Sequence, residues 1–374
     1  MLRSEIIQRL VQAWRSVKQE FLEELENIPL SSEIKERLIQ AWKSGKQSFI
    51  EDVERMKTEI EEIIRMPLDT KIMMLGTSGT GKTCYMIGMQ VYMQTVGTDS
   101  GFTITSVKHN QARTIEEQWM KMCEGEGSER WPAGTDVTVG YSFNFNYANK
   151  TFAKFNWVDY RGGALDDDED NEERKSLVEE LCTSDCLFLC LSAEYLAKGF
   201  TPGAALKARV GVMNALMTEV AAKKNSTPEN PFPVAIVVTK ADLLDNFNGS
   251  IKENAVEVIK KFFKTLFVPG SPWLTGIIGV SLGKELAEKP DSGEIDPIEV
   301  HLPVTFGVLC KLIKHANGLA KPKGNWGFLS KIIDTNVEET EIKNRIQQLD
   351  LELASVPIYA GNQRITSLLK WAKL

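Results

Sequence analysis

Apolar residues recur every three or four positions through the first 66 residues, which is the period of an amphipathic helix. Leu10, Trp14, Val17, Phe21, Leu25 and Ile28 form one stripe, and the segment from Arg9 to Leu25 is copied from Arg37 to Val53. The offset is 28 residues, or four heptads, the spacing of a coiled-coil arm. Pro29 and the capping pair Ser31 and Ser32 break the pattern between the copies. An antiparallel helical hairpin is therefore expected over 1–66, ended by Pro67. Gly45 replaces Val17 at the equivalent stripe position, which permits a close helix approach at some cost in helix propensity. The hairpin reads either as an extension packed on its own globular domain or as a docking or oligomerisation arm. Two tryptophans on the stripe suit both.

From 67 to 318 the pattern changes. Strand-like apolar runs (Ile72–Leu75, Thr138–Tyr147, Phe152–Asp159, Cys186–Ser192, Val234–Thr239 and Ile277–Ser281) alternate with helical stretches near Lys82–Gln94, Ala112–Cys123, Glu172–Cys182, Ala204–Lys224, Val256–Phe267 and Leu302–Ala316. Several runs show no period-two alternation, as expected of strands buried on both faces. The fold class expected is α/β, a mostly parallel sheet with helices on both faces. Residues 319–374 open with a linker-like stretch, Lys321–Asn325. Two amphipathic segments follow, Glu339–Ala354 and Asn362–Leu374, and predict a small C-terminal helical appendage.

Composition narrows the chemistry. The apolar content is 43% and the net charge is −7, without a dense basic block, which argues against nucleic acid as the main partner. The N-terminal region carries −2 and the C-terminal region +2, so the central region holds the acidic excess. Six cysteines (84, 123, 182, 186, 190, 310) form no C-x-x-C unit, and three of them sit around one apolar run, where free thiols act as small core residues. With three histidines in the chain, a zinc site there is disfavoured. Reduced thiols, the lack of a signal-peptide pattern and the lack of a long apolar run lead to the expectation of a cytoplasmic protein without a transmembrane segment.

The most specific feature follows the run Ile72–Leu75. Gly76, Thr77, Ser78, Gly79, Thr80, Gly81, Lys82 and Thr83 spell G-x-x-x-x-G-K-[ST] between a strand and a helix. Glycines at these positions let successive backbone N–H groups turn inward onto phosphate oxygens. Lys82 is expected to reach the β- and γ-phosphates and the Thr83 hydroxyl to ligate Mg²⁺. Free amides at Thr83, Cys84 and Tyr85 add the positive end of the helix dipole.

Two further boxes stand at strand ends. Asp159 and Gly162 form D-x-x-G, where the carboxylate organises Mg²⁺ and the glycine amide meets the γ-phosphate. Thr239, Lys240 and Asp242 form [NT]-K-x-D. A carboxylate there accepts from guanine N1–H and the 2-amino group, which adenine lacks, while the Lys240 stem covers one face of the base. Ser281 and Leu282 close another strand where a loop amide meets the guanine carbonyl.

In order and spacing these boxes resemble the translation-factor-related (TRAFAC) class of P-loop GTPases. Within it they resemble a bacterial branch labelled double-GTPase-like, on Trp157–Gly163, Trp131–Thr135 and His301–Phe306. The resemblance covers roughly residues 70–318. It implies a Ras-like domain that binds GTP and GDP with Mg²⁺, hydrolyses GTP, and works as a molecular switch, in a branch tied to bacterial conflict or signalling. A protein partner is expected at the hairpin or the switch segments, and homo-oligomerisation stays open.

The family's first switch supplies a Thr to Mg²⁺ and the γ-phosphate. Thr135, 24 residues before Asp159, is favoured, since Pro132, Ala133 and Gly134 precede it. Thr138, Thr114 and Thr103 are the alternatives. The gap from Lys82 to Thr135 is long, and an insert around Gly101–Arg130 fills it. Where many GTPases place a water-orienting Gln, this chain has Gly163. Arg161 is a candidate charge-stabilising arginine, or a surface residue paired with the acidic run Asp166–Asp170. That run reads as a solvated loop or as a partner-facing patch.

Overall fold

The computed structural model describes Glu36, Ile39, Gln40 and residues 68–134, 138–147, 150–159, 172–319 and 339–373. The expected hairpin over 1–66 lies almost wholly outside them. The chain divides into two compact units, and the larger consists of Asp69–Lys311 with Ile346–Trp371.

The parallel centre of the sheet forms where the sequence is continuously apolar. Strand β1 (Leu68–Leu75) pairs with β5 (Cys186–Ser192), β5 with β6 (Phe232–Thr239), and β6 with β7 (Trp273–Gly279), all parallel. Every residue of β5, β6 and β7 is buried. Helix α1 (Lys82–Thr95) follows β1. Between it and β5 run β2 (Phe102–Ser106), α2 (His109–Glu124), a 3-10 turn at Gly127–Arg130, β3 (Val139–Tyr147), β4 (Lys150–Asp159) and α3 (Glu172–Thr183). Helices α4 (Pro202–Lys207) and α5 (Val210–Lys224) separate β5 from β6, and α6 (Glu253–Phe262) separates β6 from β7. Helix α7 (Leu302–Leu319), α8 (Glu339–Glu352), β8 (Ile358–Ala360), β9 (Gln363–Ile365) and α9 (Leu368–Trp371) complete the described chain.

The nine strands run in the order β2-β3-β4-β1-β5-β6-β7-β8-β9. After β1 the chain builds one side of the sheet, β2 to β4, and then returns to build the other from β5. This makes the carboxyl end of β1 a topological switch point, where open α/β sheets place their ligand crevice.

Three differences from the sequence reading have identifiable causes. Strand β2 was not expected: it is only five residues long, beside a tight turn in which Gly97 and Gly101 both take positive φ. Phe102 holds it in place, stacking on Phe145 at 4.9 Å and meeting Phe152 edge-on at 5.2 Å. The single helix expected over Ala204–Lys224 is broken at Arg209, whose φ of 52° is left-handed.

The third difference is at the C-terminus, where the stretch Asn362–Leu374 was expected to be helical. Its first residues instead form the return strand of a hairpin. Ile358 faces Ile365 and Ala360 faces Gln363 across the turn at Gly361, whose φ is +56°. Strand β8 then pairs antiparallel with β7, and Tyr359 meets Phe267 edge-on at 5.3 Å. Over Ile346–Trp371 this tail is therefore part of the larger unit and extends its sheet by two strands beyond β7. No helix among the described residues is long and apolar enough to cross a membrane.

Candidate functional site

The loop between β1 and α1 takes its shape from its glycines. Gly79 and Gly81 sit at φ 76° and 82°, a region side chains rarely enter. Gly76 is constrained by space: a Cβ there would stand 2.8 Å from the backbone oxygen of Cys190, at the heart of β5. The Thr80 hydroxyl donates to Thr77 O at 2.8 Å, and the Thr239 hydroxyl donates to Thr80 O at 2.5 Å. The last bond ties the loop to the end of β6, 159 residues away in sequence.

Lys82 is the loop's charge. Its side chain is buried and turns back over the loop, Nζ donating to Gly76 O at 2.8 Å and to Thr77 O at 3.1 Å. An ammonium held among carbonyls, with no carboxylate partner among the described residues, is a costly arrangement, and it leaves the positive charge available to an anion at the loop. Thr83 and Cys84 follow in the first turn of α1.

The other end of the site is built on side chains. Lys240 takes a left-handed φ of 52°, which turns the chain sharply after β6 and begins the 3-10 turn Ala241–Leu243. Asp242 accepts a 2.6 Å hydrogen bond from the Ser281 hydroxyl, which in turn accepts one from Gly283 N at 3.0 Å. Ala241 N donates to Val280 O at 3.1 Å and Val280 N to Val238 O at 2.8 Å, so the two strand ends advance together. Burial pushes the Asp242 carboxyl above its ordinary value, and the Ser281 hydrogen bond pulls it partly back. Lys240 Nζ pairs with Glu194 Oε1 at 2.9 Å on the exposed rim.

One cavity of about 540 Å³ joins both ends. Ser78, Gly79, Gly81, Lys82, Thr83 and Cys84 line one side, and Thr239, Lys240, Asp242, Ser281 and Leu282 the other. Gly76, Thr77 and Thr80 shape the loop behind this wall. More of the wall comes from residues that the sequence motifs do not include. Trp131, Pro132, Ala133 and Gly134 form one part of it, and Leu286, Ala287 and Pro290 another. Gly134 lies against Ser78, a Cβ on it falling 3.7 Å from Ser78 Oγ. Only the run of Trp and Pro before Thr135 hinted at this wall in the sequence.

Thr135, Arg161, Gly162 and Gly163 lie outside the described residues. Asp159 is the last residue of β4, opposite Val139, on the strand neighbouring β1. Of the alternative threonines, Thr103 lies in β2, Thr114 in α2 and Thr138 just before β3. A Mg²⁺ bound beside a triphosphate takes most of its oxygens from phosphate and water and needs only one or two protein ligands. The cavity-lining Thr83, at the start of α1, suits that demand. Among the described residues there is no cluster of three His, Cys, Asp or Glu of the kind a protein-only metal cage would need.

No family model matches the chain, and no curated protein matches it. Among solved structures it is similar to a chain of the signal recognition particle receptor SRb-GTP/SRX complex from Chaetomium thermophilum. The identity is 14% and the TM-score 0.33, over 57% of this chain and 90% of that one.

Proposed function

We propose that the protein binds GTP in this cavity, hydrolyses it to GDP and phosphate, and acts as a nucleotide-dependent switch. The observation that carries the reading is the shared cavity itself. A glycine-shaped loop with a buried ammonium forms one end, and a half-buried carboxylate held by a serine hydroxyl forms the other.

The loop amides and Lys82 hold the β- and γ-phosphates and stabilise charge as it develops on them. Thr83 and Asp159 would hold Mg²⁺, which would supply Lewis-acid neutralisation of the phosphate oxygens. Asp242 accepts from N1–H and the 2-amino group of guanine, and Lys240 covers the base. Water attacks the γ-phosphorus in line, the bond to the β–γ bridging oxygen breaks, and GDP and inorganic phosphate leave. In this reading Thr135 and Gly162 contact the γ-phosphate and release on its loss, Arg161 serves as the charge-stabilising arginine, and residues 1–66 carry the signal to a protein partner.

Calorimetry with GDP, GTP and ATP in the presence of Mg²⁺ tests the binding. Heat with both guanosine nucleotides and little with ATP is expected, and no guanosine signal ends the proposal. Gly163 favours a second reading, a GTP-loaded scaffold with negligible turnover, because no side chain there can orient the water. Multiple-turnover phosphate release, with and without cell extract, separates the two.

A further inference from the structure

Arg130 ends the insert that precedes the Trp131–Gly134 wall, and it is almost completely buried. Among the described residues no carboxylate pairs with it. Its Nε donates to Met122 O at 2.8 Å, near the end of α2, and its Nη1 donates to Gly293 O at 3.1 Å, 163 residues on. Its guanidinium carbon lies 5.0 Å from the ring centre of Trp131, the first residue of the wall. A second bond runs alongside, Gly127 N to Asp291 O at 3.1 Å. The segment reached by both bonds, Asp291–Gly293, directly follows Pro290, which lines the same cavity as Trp131.

We propose that Arg130 is a positioning residue that latches the Trp131–Gly134 wall to the base-side loop and thereby sets how fast the nucleotide leaves. The inference rests on the nucleotide reading of the cavity. Both segments line the same cavity, so parting them widens the way out for a bound nucleotide, and it breaks the bonds to Gly293 and Asp291. A buried guanidinium suits the task, since its fork satisfies two carbonyls from separate segments while its face covers Trp131. The fit around it is close: a Cβ on Gly125 would stand 2.9 Å from Arg130 Cβ and 2.5 Å from Lys121 O.

Release of a fluorescent GDP analogue chased with unlabelled GDP, together with its association rate, tests the latch. Arg130→Met keeps the volume and removes the donors. It is expected to speed release about 10- to 100-fold, the range of hydrogen bonds to a charged group, with association changed far less. Arg130→Lys restores a charge but reaches only one carbonyl and is expected to fall between. Gly125→Ala, which displaces Arg130 and keeps its charge, is expected to speed release as well. Should Arg130→Met fail to fold, judged by far-UV circular dichroism, the Lys and Gly125 variants decide. Wild-type binding with release unchanged within two-fold in the folded variants overturns the latch alone. A wild-type chain that binds no guanosine nucleotide overturns the cavity reading and the latch with it.

Discussion

The two ends of the cavity are built from different materials. At the proposed phosphate end the main chain does the work: three glycines shape the loop, and its carbonyls hold Lys82. At the proposed base end a single side chain, Asp242, is fixed by another, Ser281. A backbone-built end is insensitive to most side-chain changes but cannot move without moving β1 and β5. A side-chain-built end is discriminating, and its discrimination depends on the charge state of one carboxyl. Under the proposed function, the phosphate end therefore governs how tightly a nucleotide is held, and the base end governs which one.

The largest effect is expected at Lys82. Lys82→Ala removes the one buried cation of the loop, and affinity for GTP should fall about 100- to 1000-fold, as when one partner of a buried charged pair is truncated. Calorimetry checks this, and a loss under five-fold would mean that the loop is not a phosphate site. Guanosine and xanthosine nucleotides should be weakened alike, which marks the effect as belonging to the phosphate end.

Asp242→Asn should do the converse. It replaces an acceptor with a donor facing guanine N1–H, costing on the order of 100-fold in GTP affinity, while xanthosine triphosphate gains. Competition between the two nucleotides gives the ratio directly. If guanosine affinity is unchanged, Asp242 does not read the base.

Gly76→Ala should act on stability instead. Its new methyl meets Cys190 O at 2.8 Å, a backbone atom of a fully buried strand that cannot yield cheaply. Such overpacking costs roughly 1–3 kcal/mol, readable as a lower denaturation midpoint, whereas a midpoint equal to wild type would show that the loop can move away from β5.

This division also explains what was legible in the sequence. Gly79, Gly81 and Lys82 are dictated by backbone geometry and charge, so their residue types give the loop away. The parallel core strands β5 and β6 were visible because burial on both faces leaves no polar alternation. Strand β2 and the hairpin β8–β9 were not, since each strand is short and is held by partners distant in sequence, Phe102 by Phe145 and Phe152, and Gly361 N by Trp273 O. The Leu286–Pro290 wall was hidden for the same reason. No local pattern tells a chain segment that it will face a cavity made by a loop some two hundred residues earlier.

The smallest expected effect is also the finest probe of the base end. Burial raises the Asp242 carboxyl above its ordinary 3.8, and the Ser281 hydroxyl opposes that rise by favouring the ionised form. Reading guanine needs the carboxylate, so GDP affinity should be complete well above the raised pKa and fall as the pH drops through it. Ser281→Ala leaves burial less opposed. At neutral pH it should cost about five-fold in affinity, the worth of one net hydrogen bond, and the acid-side fall should begin at a higher pH than in wild type. Unfolding driven by this group cannot mimic this. Between 3.8 and the raised value the folded chain holds the proton that the unfolded chain has lost, so this group's contribution to stability rises as pH falls, opposite in sign to its contribution to binding. GDP titrations stepped down from neutral pH through the acid-side fall, each paired with a melting curve, separate the two trends. If the variant tracks wild type at every pH, Ser281 does not tune the carboxylate, and the base end is held by its backbone after all.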